Sequence, residues 1–248
     1  MATSQPVALV TGSTSGIGAA IAHRLSSDGY FVVVHSRSSA QAGHALAQQL
    51  PAALYLQADL AEESAREQLV QDTIAHCGRL DVLVNNAGIS QVIPHCDLFG
   101  ATPDVWHHLY EVNVIAPFRL IAHAQAALQA SAKERGRPAC VVNISSHAGV
   151  RPKGASIPYA ATKAALNHMT RLLALSLAPD IRVNAVAPGL VDTPLTRDWT
   201  AAQALWREQS PMRRAAQPED IAQIVSMLVT SDYLTGEVVL SDGGLNLT

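Results

Sequence analysis

Short apolar runs alternate with longer amphipathic stretches along the whole chain. The runs predict strands at Val7–Thr11, Phe31–Ser36, Ala53–Ala58, Asp81–Asn85, Ala139–Ser145, Ile181–Ala187 and Glu237–Leu240. Most are rich in Val, Leu or Ile with little alternation, as strands covered on both faces should be. The stretches between them predict helices at Gly16–Ser27, Ala40–Leu50, Glu62–His76, Pro103–Lys133, Pro158–Leu177 and Pro218–Thr230. Pro103, Pro158 and Pro218 each stand where a helix should begin, a place where a missing N–H costs little. Strands alternating with helices predict βαβ units, hence an α/β fold of Rossmann type with a parallel sheet.

The chain has 248 residues, enough for one such domain with a sizeable core and too few for two. A single domain spanning 1–248 is therefore expected. Gly136–Pro138 and Pro188–Pro194 read as turns within it. The segment at about 190–212 carries Trp199 and Trp206 on a weak helical period, and is expected to form a substrate loop or lid. Seventeen basic residues face twenty acidic ones and no Lys/Arg run stands out, so no nucleic-acid partner is expected. Cys77, Cys96 and Cys140 form no CxxC pair and no disulfide framework. The histidines show no ligand spacing, so no metal is assigned. No apolar window has the length of a membrane span and the N-terminus lacks a signal-peptide pattern, which makes the cytoplasm the expected compartment.

The first strand runs straight into Thr11-Gly12-Ser13-Thr14-Ser15-Gly16-Ile17-Gly18, and a helix follows. Glycines permit a tight turn and close approach of backbone to a pyrophosphate, and a helix N-terminus offers free N–H groups to an anion. The spacing is GxxxGxG rather than GxGxxG. At the end of the second strand stand His35-Ser36-Arg37, with no acid from Val34 to Ser39. A carboxylate there would bond the ribose hydroxyls of NAD, whereas an Arg with small polar neighbours accepts the 2′-phosphate of NADP. Ser36 and Arg37 thus favour NADP(H) over NAD(H). Asp59-Leu60 follows the third strand, where the carboxylate either reaches an adenine amino group or caps the next helix. Asn85-Asn86-Ala87-Gly88 ends the fourth strand with small residues that let backbone pass close to a cofactor.

Tyr159 and Lys163 are spaced i, i+4 on a predicted helix and share a face. A phenol with a reference pKa of about 10 is a poor base near neutrality, and a nearby ammonium should lower it. The pair is then a general acid/base for carbonyl reduction, in which a proton reaches oxygen while hydride reaches carbon. Ser146 ends the fifth strand and would hold the substrate oxygen, with Ser145 as the competing candidate because neighbouring strand residues face opposite sides. Asn113 sits inside the long predicted helix, where Asn is a mediocre helix former, and could hold a water that hands protons toward Lys163. Pro188, Gly189, Val191 and Thr193, after the sixth strand, are placed to position a nicotinamide.

In order and spacing, Thr11–Gly18, Asp59, Asn85–Gly88, Asn113, Ser146, Tyr159-xxx-Lys163, Pro188-Gly189 and the terminal Asp242-Gly243-Gly244 resemble the short-chain dehydrogenase/reductase family over essentially the whole chain. The resemblance implies a doubly wound seven-stranded sheet of order 3-2-1-4-5-6-7. It implies a homotetramer formed through the helices at about 103–133 and 158–177. It selects Ser146 over Ser145, makes Tyr159 the acid/base, places Lys163 on the nicotinamide ribose, and gives Asn113 the end of a proton relay. The subtype is similar to 3-oxoacyl-acyl-carrier-protein reductases. Two departures weigh against that substrate: Pro179-Asp180 stands where those enzymes often carry a basic residue, and the stretch from Ile89 to Val112 looks longer, bringing His95, Cys96 and Phe99 toward the site mouth. Another small ketone, sugar or cyclic alcohol fits as well. The alternative function is a catalytically idle dinucleotide-binding sensor or scaffold, which the presence of both Tyr159 and Lys163 disfavours.

Overall fold

The computed structural model describes residues 3–248. Met1 and Ala2, the first residues of the expected domain and of the N-terminus read for a signal peptide, lie outside the described residues. Seven strands form one parallel sheet: β1 Val7–Val10, β2 Phe31–Ser36, β3 Ala53–Gln57, β4 Val82–Asn85, β5 Ala139–Ile144, β6 Ile181–Pro188 and β7 Val238–Ser241. Their spatial order is β3-β2-β1-β4-β5-β6-β7. Winding reverses between β1 and β4, so a crevice opens beyond the C-terminal ends of these two strands.

Alternate residues of each strand feed the two faces of the sheet. Ala8 and Val10 pack with Ile21 and Leu25 of α1 (Gly16–Ser27) and with Ile221 and Val225 of α8 (Pro218–Thr230). Val7 and Leu9 point the other way, onto Leu69 of α3 (Glu63–Cys77), Leu120 and Leu128 of α5 (Ala116–Arg135), and Leu177 of α6 (Ile157–Leu177). Two apolar layers thus clamp a sheet whose central strands are fully buried, which accounts for apolar residues facing both sides of them. The remaining helices are α2 (Ala40–Gln49), α4 (Pro103–Tyr110) and α7 (Thr200–Gln209).

Predicted and observed boundaries agree within two residues for most elements. The long helix expected over Pro103–Lys133 is different. It divides into α4, a π-helical turn over Glu111–Ile115, and α5, which runs on to Arg135 and stops at Gly136 with φ 62°. Thr102 caps α4, and Pro117 near the start of α5 removes an amide from the ladder. A π turn rotates the residues it carries relative to both flanking helices. Asn113 lies at its centre, buried. The segment at 190–212, expected only as a loop of weak helical period, contains the regular helix α7, which buries none of its residues in the core.

Candidate active site

The loop from Thr11 to Gly18 joins β1 to α1 at the reversal of winding. Gly12 and Gly16 take φ of +62° and +52°, a region that side chains disfavour. A Cβ on Gly18 would lie 2.3 Å from the Gly12 carbonyl oxygen, so only glycine lets the helix start this close to the loop. Ser15, the N-cap of α1, makes no side-chain capping bond, and no acid stands in the first turn. The first amides of α1 and its positive dipole end are therefore available to an anion.

Side chains of neighbouring strands hold this loop rigid. The Gly12 amide donates to His35 Nδ1 at 3.0 Å, while the opposite ring nitrogen lies 3.0 Å from the Ala58 carbonyl. The ring is thus the Nε2–H tautomer, and burial pushes its pKa down to about 4. The Asn86 amide donates to the carbonyls of Thr11 and Gly12 at 2.9 and 3.0 Å. The Thr11 hydroxyl accepts from the amides of Asn86 and Ala87, each at 3.0 Å. Ser13 turns inward, with its hydroxyl accepting from the His35 amide at 2.9 Å and its amide donating to the His35 carbonyl. Of the glycine-loop residues singled out from the sequence, it does not line the cleft.

That cleft holds about 500 Å³ and is bounded by Gly12, Thr14 to Gly18, Ser36, Arg37, Asp59, Leu60 and Asn86 to Gly88. Ser36 is buried; its hydroxyl pairs with the Tyr55 hydroxyl at 2.8 Å and accepts from the Ser39 amide. Arg37 is exposed, and its guanidinium has no hydrogen bond or ion pair among the described residues. Asp59 accepts from the Ala61 amide at 3.0 Å and so closes the turn ahead of α3, whose N-cap is Glu62, rather than capping that helix; it still faces the cleft. A glycine cradle, a free helix N-terminus and an unpaired cation at the far end fit a dinucleotide.

The other end of the crevice is built by β5 and α6. Ser156 caps α6 by accepting from the Tyr159 amide at 3.3 Å, which seats Tyr159 in the first turn. Lys163, one turn on, is buried; its ammonium donates to the Ile144 carbonyl at 2.9 Å and lies 5.9 Å from the centroid of the Tyr159 ring. Burial pulls the Lys163 pKa down to about 8. Burial also raises the Tyr159 pKa, with the neighbouring Ser146 hydroxyl working in the opposite direction. Burial and the Ser146 hydroxyl, rather than Lys163, dominate this balance. The Ser145 hydroxyl faces α6 and donates to the Lys163 carbonyl at 3.3 Å, which leaves Ser146 as the serine beside Tyr159.

Asn113 clasps the turn after β4: its Oδ1 accepts from the Ile89 amide, and its Nδ2 donates to the Ile89 carbonyl, both at 2.9 Å, and to the Thr162 hydroxyl at 3.2 Å. A Cβ on Gly88 would meet Asn113 Oδ1 at 3.2 Å and Lys163 Nζ at 3.5 Å. These three residues, distant in sequence, therefore meet.

Ser146 and Tyr159 open onto a second cleft of about 680 Å³, walled mainly by apolar groups including Val92, Leu190, Trp199, Leu205 and Trp206. Pro188, Gly189 and Val191 line this cleft rather than the first, and Thr193 lines both. His147, which sequence reasoning did not single out, is part of its wall. Cys96 and Phe99 line neither cleft, while His95 bonds the Gly154 carbonyl at 3.1 Å. Among the described residues no group of three His, Cys, Asp or Glu is arranged to hold a metal, and no helix is long and apolar enough to cross a membrane.

Residues 12–246 match the family model described as enoyl-(acyl carrier protein) reductase. A protein of Streptomyces violaceoruber, assigned to the granaticin polyketide synthase as ketoacyl reductase 2, is 49% identical over 98% of this chain and 96% of its own. The chain belongs to the short-chain dehydrogenase/reductase family. The 3-ketoacyl-(acyl-carrier-protein) reductase of Brucella melitensis, solved with NADH, superposes with a TM-score of 0.88 at 30% identity, covering 97% of this chain and 98% of that one. RhlG of Pseudomonas aeruginosa, solved with NADP, gives 0.89 at 33% identity, covering 97% and 96%. As a short-chain dehydrogenase/reductase, the protein is an NAD(P)-dependent oxidoreductase acting on CH–OH and C=O groups.

Proposed function

We propose that this protein is an NADP(H)-preferring ketoreductase in which Tyr159 is the general acid/base. The observation that carries this reading is the convergence of Ser146 and Tyr159 on one mostly apolar cleft, with buried Lys163 one helical turn behind. The dinucleotide, when bound along the glycine loop, supplies hydride to the carbonyl carbon. The Ser146 hydroxyl donates to the substrate oxygen and holds it against Tyr159, whose phenol gives the proton. A phenol kept protonated by burial has a proton to give to the carbonyl oxygen at neutral pH. Lys163 places positive charge behind the tyrosine as negative charge develops on the oxygen. Asn113 has both ends of its side-chain amide engaged, and so holds Ile89 and Thr162 in place beside Lys163.

The unpaired Arg37 and the absence of acid at the end of β2 support NADP(H). The names of the Streptomyces and Brucella relatives support a 3-oxoacyl thioester, and the apolar walls admit another small ketone equally. The segment at 190–212 covers the cleft with Trp199 and Trp206 and buries no residue of α7, which supports its reading as a lid of the single domain. Ile115, Phe118, Leu172 and Leu175 expose apolar side chains around α5 and α6, which supports a homotetramer built on those helices. Cys77, Cys96 and Cys140 are free thiols, in keeping with the cytoplasm.

The test is a panel of ketones and 3-oxoacyl thioesters followed by nicotinamide absorbance, with wild type and Tyr159→Phe in parallel. Turnover that falls by about 10²- to 10⁴-fold in the variant, with cofactor affinity retained, is expected. Tight cofactor binding without turnover across the panel would instead identify an idle binding protein.

A further inference from the structure

The residue after Ser146 is a histidine, and it is buried in the wall of the substrate cleft at 5% exposure. Its ring is held on two sides. Trp206 of α7 meets it edge-on, with centroids 6.1 Å apart. Asp242 Oδ2 stands 3.5 Å from Nε2. The Asp242 carboxylate cannot swing away, because its two oxygens accept from the amides of Gly244 and Asn246 at 3.0 and 2.7 Å. Nε2 is sealed from solvent and has no hydrogen bond, and the described residues supply none to Nδ1 either. A buried polar ring without a partner is costly to keep unless something else completes it.

The tautomer follows from the carboxylate. A lone pair on Nε2 would repel Asp242, so Nε2 carries the proton and Nδ1 keeps the lone pair. Burial outweighs the pull of Asp242 and lowers the pKa of the ring, and Arg151 and Lys153 push the same way, so the ring is neutral at pH 7. A neutral imidazole in this tautomer is a hydrogen-bond acceptor in the cleft wall, next in sequence to the serine that holds the reacting oxygen.

We infer that His147 is a specificity-determining residue that accepts a hydrogen bond from a hydroxyl group of the substrate, so that the preferred substrate is a hydroxylated ketone. This rests on the ketoreductase reading and adds a second polar contact to a cleft that is otherwise mostly apolar. The hydroxyl sits on the part of the substrate that extends from Ser146 toward Trp206. An unsubstituted ketone leaves the acceptor unpaired, and selection against it follows.

The probes are cyclohexanone and its 2-, 3- and 4-hydroxy derivatives, assayed with wild type, His147→Phe and His147→Asn. In wild type, kcat/KM for at least one hydroxylated ketone should exceed that for cyclohexanone by about tenfold or more, the scale of one buried hydrogen bond. In His147→Phe that ratio should collapse toward one, and His147→Asn, which keeps a small acceptor, should restore part of it. Binding of the same ketones to the NADP-loaded proteins, by calorimetry, reads the same ratio without chemistry. Absence of turnover with an intact binding ratio overturns the ketoreductase reading alone. A ratio near one in wild type, or one unchanged in His147→Phe, overturns the role of His147 whatever the activity. If His147→Phe does not fold, His147→Asn decides through the same two ratios.

Discussion

The amide of Gly12 donates to Nδ1 of His35 at 3.0 Å, so the first turn of the phosphate loop hangs on a buried imidazole from the next strand. That bond requires the ring to be neutral, since an imidazolium has no lone pair to offer. Burial lowers the folded pKa to about 4, against an ordinary value of 6.5. Between those values the unfolded chain binds a proton that the folded chain refuses. Stability is therefore complete above pH 6.5 and is lost as the pH falls toward 4, by about 3 kcal/mol in total. His35→Asn keeps a side-chain acceptor for the Gly12 amide and removes the titration. Its unfolding free energy should vary less between pH 7.5 and 5 than that of wild type, by about 2 kcal/mol. Parallel pH profiles in urea titrations would refute this.

Lys163 presents the opposite case, a cation the fold must bury. Its folded pKa of about 8 lies below its ordinary 10.5. The unfolded chain holds the extra proton between these values, so this group makes stability rise with pH from 8 to 10.5 and costs stability below 8. Lys163→Met replaces it with an apolar chain of similar length. One hydrogen bond to the Ile144 carbonyl is lost, and the desolvation cost vanishes with it. The variant should be more stable than wild type by about 1–3 kcal/mol at pH 7, with the gap closing toward pH 10.5, while turnover is abolished. A variant less stable at pH 7 than at pH 10, relative to wild type, would contradict this.

How far the sequence disclosed all this depends on the physics of each part. The central strands are legible because burial on both faces leaves short runs with apolar residues at consecutive positions, and the order of motifs points to Tyr159, Lys163, Ser146 and Asn113. The π turn was not legible, since inserting one residue into a helix leaves the apolar period on either side intact. Asn113 was the sole clue, as a poor helix former in mid-helix. His35 looked like one polar residue at the end of an apolar strand; its bond to Gly12 depends on how the loop folds back over β2. Ser13 stands between Gly12 and Thr14, which line the cleft, and nothing in one dimension marks it as turned inward. Spacing reports the proximity of Tyr159 to Lys163 and says nothing of the burial that raises the tyrosine pKa.

Leu172 and Leu175 lie three residues apart on one face of α6 and are 54% and 82% exposed. Phe118 and Ile115 add to the apolar surface around α5. In the proposed homotetramer these side chains would be buried between copies. Replacing Leu172 and Leu175 together by Glu puts two like charges into each such contact and should yield dimers or monomers by light scattering at micromolar concentration, where the proposal expects a tetramer for wild type. Wild type running as a monomer would remove the proposal.

The proposed preference for NADP(H) rests on Ser36 and Arg37. The Arg37 guanidinium is unpaired at the rim of the cleft, and a 2′-phosphate there would gain a charge-assisted bond. Such bonds contribute roughly 1.5–3 kcal/mol, but Arg37 is exposed and solvent screens it. A preference for NADPH over NADH of about tenfold in kcat/KM is therefore expected at physiological salt, rising at low salt. Arg37→Ala should remove most of that preference and its salt dependence together. Ser36→Asp should go further and reverse it. The Ser36 hydroxyl already accepts from the Ser39 amide and pairs with the Tyr55 hydroxyl, so a carboxylate finds donors waiting in the same place. It would accept from the ribose hydroxyls of NADH and repel the 2′-phosphate of NADPH. The deciding numbers are kcat/KM for one ketone with each cofactor at two salt concentrations. Equal values for wild type, unchanged by salt, would mean that Arg37 is a solvated surface residue and that the glycine loop alone binds the dinucleotide.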